Sequence, residues 1–524
     1  MSDQFEKLVS QFQQENRLSL LKKIKIGVEK EGLRIRPDGR LSQAPHPKAL
    51  GSALTHPKIT TDYSEAMLEF ITEPFEGIEP MLDELEDIHR YCYSNIGEEK
   101  VWAASMPCIL KEEKEIPLAW YGNSNVGMMK HVYRQGLGRR YGRKMQSITG
   151  IHYNFSLPAE FWSLYQELLG NKEDPQDFKS ASYFGLIRNF ARNSWLVCYL
   201  FGASPALCKS FLKSEAQPLE SWDQETAYLP YATSLRMSDL GYQSQAQDSI
   251  FVCYNQLDTY INTLKSAVET EYPEYRKIGV KVNGEYQQLN CNLLQIENEF
   301  YSHVRPKQIT RPGERPVDAL ASRGVEYIEI RLLDINPFLP LGLDAEQSYF
   351  LNSFLLNCLL EESPRLSCEE FQQVKKDRHE VLMRGRDPQL LLHPQGKPTK
   401  LKEAALQLFP KLQQTAALLD QAWGGEKHQQ AVQAQMVKFE DPNLLPSAKI
   451  LNQMKEKKQS FTQLVLELSK KHHQSLVHGL EGEKLEFHRE LAEESLRQQF
   501  KIEAEDNINF DEYLADYFSF SSQS

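Results

Sequence analysis

The chain has 524 residues, of which 41% are hydrophobic, 25% charged and 10% aromatic. This composition excludes the disordered, collagenous and membrane classes and supplies a sizeable core. Sixty Lys and Arg against 72 Asp and Glu leave a net charge of −12, which disfavours a general nucleic-acid or anionic-membrane coat, so a polyanionic ligand must meet locally placed Arg, Lys or metal.

The N-terminal MSDQFEKLVSQFQQ carries acidic residues where a secretory signal needs a basic start and an apolar run, so the cytoplasm is the expected compartment. Period-two alternation predicts half-buried strands at 27–35 (GVEKEGLRI), 67–72 (MLEFIT), 150–157 (GIHYNFSL), 292–302 (NLLQIENEFYS) and 325–335 (VEYIEIRLLDI). Helices are predicted between them over 78–96, with Pro80 in the first turn, and from about residue 181 to 201. The stretch between Arg192 and Lys209 is too short and too interrupted, by Asn193, Ser194 and Pro205, to span a bilayer. The eight cysteines show no CxxC and no zinc spacing, the pattern of reduced structural thiols.

Strands with cleanly alternating polar faces, separated by long helices and loops, favour a mainly antiparallel sheet with one face open to a ligand, an α+β fold. After residue 345 the chain turns rich in Leu, Gln, Glu and Lys with helical periodicity, and no Pro/Ser/Gly linker intervenes. The prediction is one unit over 1–524, a sheet-bearing part at 1–345 and a helical part at 346–524 packed on it.

Several constellations could carry chemistry. On a strand, Glu29 and Glu31 share a face, as a solvated strand face or as part of a divalent-metal site. Tyr327, Glu329 and Arg331 share another, with Ile328, Ile330 and Leu332 opposite; the carboxylate and guanidinium form either an ion pair or a site for metal and phosphate together. The same parity groups Gln295, Glu297, Glu299 and Tyr301. His152 stands with Asn154 and Ser156, as a structural histidine or a ligand. Asp62, Glu65 and Glu69 follow one another, and Glu69, flanked by Leu68 and Phe70, requires a partner. Neither GxxxxGK[ST] nor GxGxxG is present, so an ATP site would be built on a sheet face through metal. The basic run from Lys130 to Lys144 reads as a solvated helix face or a phosphate site, and His472, His473 and His478 as surface residues.

At these segments the sequence resembles the proteobacterial glutamate–cysteine ligase family. The matching stretches include GVEKEGLRI, HPKALGSALTHPKITTDYSEAMLEFITEP, YGNSNVGMMKHVYRQGLGRRYG, SITGIHYNFSLP, YLPYATSLRMSDLGY, LLQIENEFYSHVRPKQ and GVEYIEIRLLDINPF. The resemblance implies a glutamine-synthetase-like fold, a curved antiparallel funnel with helices outside. It also implies ATP-dependent joining of the γ-carboxyl of L-glutamate to the amine of L-cysteine through γ-glutamyl phosphate, the first step of glutathione biosynthesis. By motif, Glu29, Glu31, Asp62, Glu69, His152 and Glu329 resemble ligands for Mg2+ or Mn2+, and Arg331 the arginine that meets the transferring phosphoryl group. Tyr133, Gln146, Tyr242 and Tyr301 correspond to the cysteine pocket, and Arg236 to a glutamate contact. Val126, Met128 and Met129 depart from the family pattern, which keeps another amine acceptor as an alternative; a metal-dependent hydrolase is a second. A monomer is expected, with no nucleic-acid or membrane partner.

Overall fold

Residues 25–35 alternate so that Ile26 and Val28 are buried on one side while Glu29 and Glu31 leave from the other, and they form the longest strand, β1 (Lys25–Ile35). The structure, a computed structural model, describes residues 4–212, 219–241, 245–311 and 313–519. With β1, five more strands build the main sheet: β2 (Ile59–Thr61), β3 (Met67–Ile71), β4 (Ile151–Ser156), β5 (Val304–Lys307) and β6 (Tyr327–Leu333). Their spatial order is β5-β6-β4-β1-β3-β2, every pairing antiparallel. Short strands Phe75–Glu76 and Lys100–Val101 extend the two ends of β1.

One face of this sheet is apolar, with Val28, Leu68, Phe70, Tyr153, Phe155, Ile328 and Ile330 all fully buried. Helices cover it: α1 (Ile78–Asn95) lies on β1 and β3, and α3 (Pro175–Phe201) on β5 and β6. Between them in sequence, α2 (Asn125–Tyr141), capped by Ser124, runs along the opposite, polar side. The helix expected from about residue 181 starts earlier because the Asp174 side chain accepts from the Gln176 and Asp177 amides with Pro175 at the first helical position.

Among the described residues after 345, the regular elements are helices apart from one short hairpin, Leu391–Leu392 with Thr399–Lys400. Helix α4 (Ala345–Leu360), buried almost all round, packs on α3 and α1. Helix α5 (Cys368–Arg384) packs on α3, and α6 (Leu401–Trp423) on α4. One apolar cluster runs from Phe5 through both the sheet and these helices to Ala492. The last two helices are α7 (Gly482–Glu505) and α8 (Phe510–Ser519).

Three expectations are corrected. Residues 292–302 form no strand: Glu297–Glu299 make a single 3-10 turn, because their alternation serves ion pairs in different directions rather than a ladder. Glu297 accepts from Arg315 Nε at 2.9 Å, and Glu299 accepts from Arg140 Nη1 at 2.9 Å and from the Gln295 amide at 2.7 Å. The basic run is not a solvated face, since Arg140 is fully buried in that pair and Arg134 turns toward Asp62. His472 is buried, its Nε2 donating to the Pro337 carbonyl at 2.8 Å.

Candidate active site

The polar face of the sheet is assembled by register. Arg305 stands opposite Glu329, Glu329 opposite Asn154, His152 opposite Glu29, Glu31 opposite Glu69, and Glu69 opposite Thr60. Residues far apart in sequence thus share one face across all six strands, in a staggered row that steps by two residues on β4 and again on β1. The row floors a cavity of about 940 Å3, into which Glu29, Glu31, Asp62, Glu69, Tyr133, Gln146, His152, Arg236, Tyr301, Glu329 and Arg331 all open. Tyr242 lies outside the described residues.

At the centre, His152 Nδ1 is 3.0 Å from Glu29 Oε2, while the other Glu29 oxygen accepts from Asn154 Nδ2 at 2.9 Å. The same Nδ1 is 3.9 Å from Glu329 Oε1, and Nε2 lies 3.9 Å from Glu31 Oε1. Glu31 also accepts from the Gly150 amide at 2.7 Å. A β-carbon at residue 150 would sit 1.9 Å from an Arg236 guanidinium nitrogen, so a larger residue there would displace that side chain. Glu329, almost fully buried, accepts from Arg331 Nη1 at 3.0 Å and faces Lys307 Nζ at 3.4 Å. Donor atoms of Glu29, His152 and Glu329 all lie within 4.8 Å of one another, close enough to share one cation.

The electrostatics divide the row. Burial pushes the Glu329 carboxyl up, but Lys307, Arg331, His152 and Arg305 overcome it and hold it well below the usual range. Burial and the nearby Glu329 push Glu29 up, but the His152 hydrogen bond together with the charges of His152 and Lys307 leaves it lowered. Two groups go the other way. Burial and then Asp62 raise Glu31, and burial with Asp62, Glu29 and Glu31 raises Glu69 well above its ordinary value. Among the described residues Glu69 makes no hydrogen bond, and Arg134, whose charge draws it down, is itself engaged by the Asp62 carboxylate at 3.7 Å and stacks on the Tyr121 ring at 4.5 Å. The β1–β3 side therefore carries more carboxylate than the protein itself neutralises.

The pocket residues are spread over three walls. Tyr133 comes from α2, its carbonyl accepting from Gln295 Nε2 at 3.2 Å. Arg236 is buried and ties the end of β6, donating to the Arg331 carbonyl at 3.1 Å and the Leu333 carbonyl at 3.2 Å. The Tyr301 amide donates to Gln247 Oε1 at 2.9 Å, and burial raises its phenol to about 12. Sequence reasoning passed over Arg305 and Lys307, which the two-residue spacing on β5 could have flagged as one face. Within the basic run, Lys130 lines the cavity, and burial, then Arg134, lowers its ammonium to about 8.

Residues 9–381 match the family model described as glutamate-cysteine ligase. The glutamate–cysteine ligase of Pseudomonas putida is 51% identical over 501 residues, 95% of each chain. That of Alcanivorax borkumensis is 50% identical over 94% of this chain and 95% of its own. The crystal structure of glutamate–cysteine ligase from Francisella tularensis in complex with AMP superposes with a TM-score of 0.90 at 35% identity, covering 95% of this chain and 98% of that one. A bifunctional glutathione synthetase from Pasteurella multocida superposes with a TM-score of 0.70 at 25% identity, over 88% of this chain and 54% of that one. Fold and matches together define the class, an α+β ligase. The chain belongs to the glutamate–cysteine ligase family, and membership carries the activity of that family, the first step of glutathione biosynthesis. No helix among the described residues is long and apolar enough to cross a membrane.

Proposed function

We propose that the protein joins the γ-carboxyl of L-glutamate to the amine of L-cysteine using ATP, through a γ-glutamyl phosphate, in the cytoplasm and as a monomer. The observation that carries this reading is the convergence of the carboxylate row, His152 and Arg331 on one cavity. The donor set fits Mg2+ or Mn2+: oxygens with one imidazole, and a surplus of carboxylate on the β1–β3 side that calls for an external cation. Glu29, His152 and Glu329 would hold one ion, and Glu31, Asp62 and Glu69 the rest. Bound there, the metal neutralises nucleotide phosphate charge and orients the γ-phosphoryl group.

The chain's own groups supply the remainder. Arg331, fixed by Glu329, meets the charge that spreads over the transferring phosphoryl oxygens. Arg236 contacts glutamate, and Tyr133, Gln146, Tyr242 and Tyr301 hold the amine substrate. The amine nitrogen attacks the acyl phosphate carbon, the new C–N bond replaces the C–O bond to phosphate, and inorganic phosphate and a proton depart. Purified protein with Mg2+ should release phosphate from ATP only when glutamate and cysteine are both present. Equal turnover without cysteine, or preference for another amine, overturns the acceptor assignment.

A further inference from the structure

The terminal helix α8 reaches back across almost the whole chain to the cavity. It packs on α2, where Leu514 is buried with Met129 and Val132, and Tyr513 and Tyr517 join Tyr133 and Ile296 in the same cluster. Five of these residues, Met129, Tyr133, Ile296, Tyr513 and Tyr517, also line the cavity. The two tyrosines are four apart and so share one face of the helix.

Polar contacts fix the helix before and at its N-terminal end. Before it, Asp506 accepts from the Asn125 amide at 2.5 Å, the Ile508 carbonyl accepts from Asn125 Nδ2 at 2.9 Å, and Glu503 accepts from the Asn123 amide at 2.9 Å. On it, Asp511 accepts from Lys281 Nζ at 2.6 Å and from the Tyr286 hydroxyl. Among the described residues, neither the Tyr513 nor the Tyr517 hydroxyl makes a hydrogen bond. Both rings are therefore held by packing, while their polar tips stay available to whatever occupies the cavity.

We propose that α8 forms the outer wall of the amine-acceptor end, with Tyr513 and Tyr517 limiting the size of the acceptor side chain. This rests on the assignment of Tyr133 to the acceptor pocket. The wall lies beside Met129 and Tyr133, so acceptor choice in this chain is set where α2 and α8 meet.

The test uses the full chain with Tyr513→Ala and Tyr517→Ala, singly and together, and ADP release as readout. The KM for cysteine should rise about tenfold in the double variant, the scale of a lost pocket contact, while the KM values for ATP and glutamate stay within about twofold. L-methionine, a longer acceptor, should gain turnover relative to cysteine. An equal rise in all three KM values, or an unchanged acceptor profile, overturns the proposal. If the alanine variants do not fold, Tyr517→Phe and Tyr517→Leu take their place: Leu should shift the acceptor profile while Phe, which keeps the ring, should not, and identical profiles overturn it. Wild-type protein that needs no cysteine would instead strike the ligase reading itself.

Discussion

Replacing Arg331 with Ala removes a guanidinium that donates to Glu329 at 3.0 Å and lies 3.5 Å from His152 Nδ1. The consequence for the fold is moderate. Glu329 keeps Lys307 at 3.4 Å, with Arg305 across the strand pair, so its carboxylate is not left bare, and the loss should sit near the low end for a broken buried pair, about 3 kcal/mol. The consequence for the reaction is larger. Supplying an arginine to a transferring phosphoryl group accelerates transfer by about 10³ to 10⁵. The same Lys307 leaves some positive charge in the wall, so the expected fall in kcat is about 10³, roughly 4 kcal/mol of barrier. Arg331→Lys should recover part of the rate, because it restores the charge without the planar fork. The assay is ADP release at saturating ATP, glutamate and cysteine, with circular dichroism to verify folding. A folded Arg331→Ala variant with kcat within about tenfold of wild type would refute the role, as would a loss confined to the KM for ATP.

Glu69→Gln should act in opposite directions on two readouts. It removes a carboxyl crowded by Asp62, Glu29 and Glu31, so the melting temperature in metal-free buffer should rise, while the Mg2+ concentration for half-maximal turnover should increase; a fall in metal-free stability would contradict the like-charge argument. His56 gives a pH dependence. Its Nδ1 accepts from the Lys58 amide at 3.1 Å and the Ile59 amide at 2.9 Å, and burial, then His488 and Lys58, lower its pKa to about 4. A depressed histidine contributes stability above its unfolded value near 6.5 that is lost as pH falls toward 4, so roughly 2 kcal/mol should disappear between pH 7 and pH 5. His56→Asn should flatten that slope in chemical denaturation; an unchanged slope would show that the charge is not excluded. Arg315→Met leaves the buried Glu297 carboxylate unpaired and should cost about 3 kcal/mol, read as a lowered denaturation midpoint, and a midpoint equal to wild type would mean the pair is not structural.

What the chain discloses locally and what it hides follow from the difference between parity and register. Parity along one strand says which side chains share a face, and it worked for β1, β4 and β6 because the opposite face is core in each: Val28, Tyr153 and Ile328 leave no choice about which way Glu29, His152 and Glu329 point. It failed at 292–302, where the alternating carboxylates of Glu297 and Glu299 answer to Arg315 and Arg140 rather than to a sheet. It was too weak at β5, whose four residues include a proline, so Arg305 and Lys307 went unremarked. Register is another matter. That Glu29 meets His152 and Glu31 meets Glu69 depends on pairings across 123 and 38 positions of chain, and no local spacing encodes them. Spacing therefore left the solvated-face and metal readings open for each carboxylate pair, and only the family resemblance could gather these residues before the sheet was seen. The same holds for α8: a contact between residues near 513 and those near 133 is a property of the closed fold.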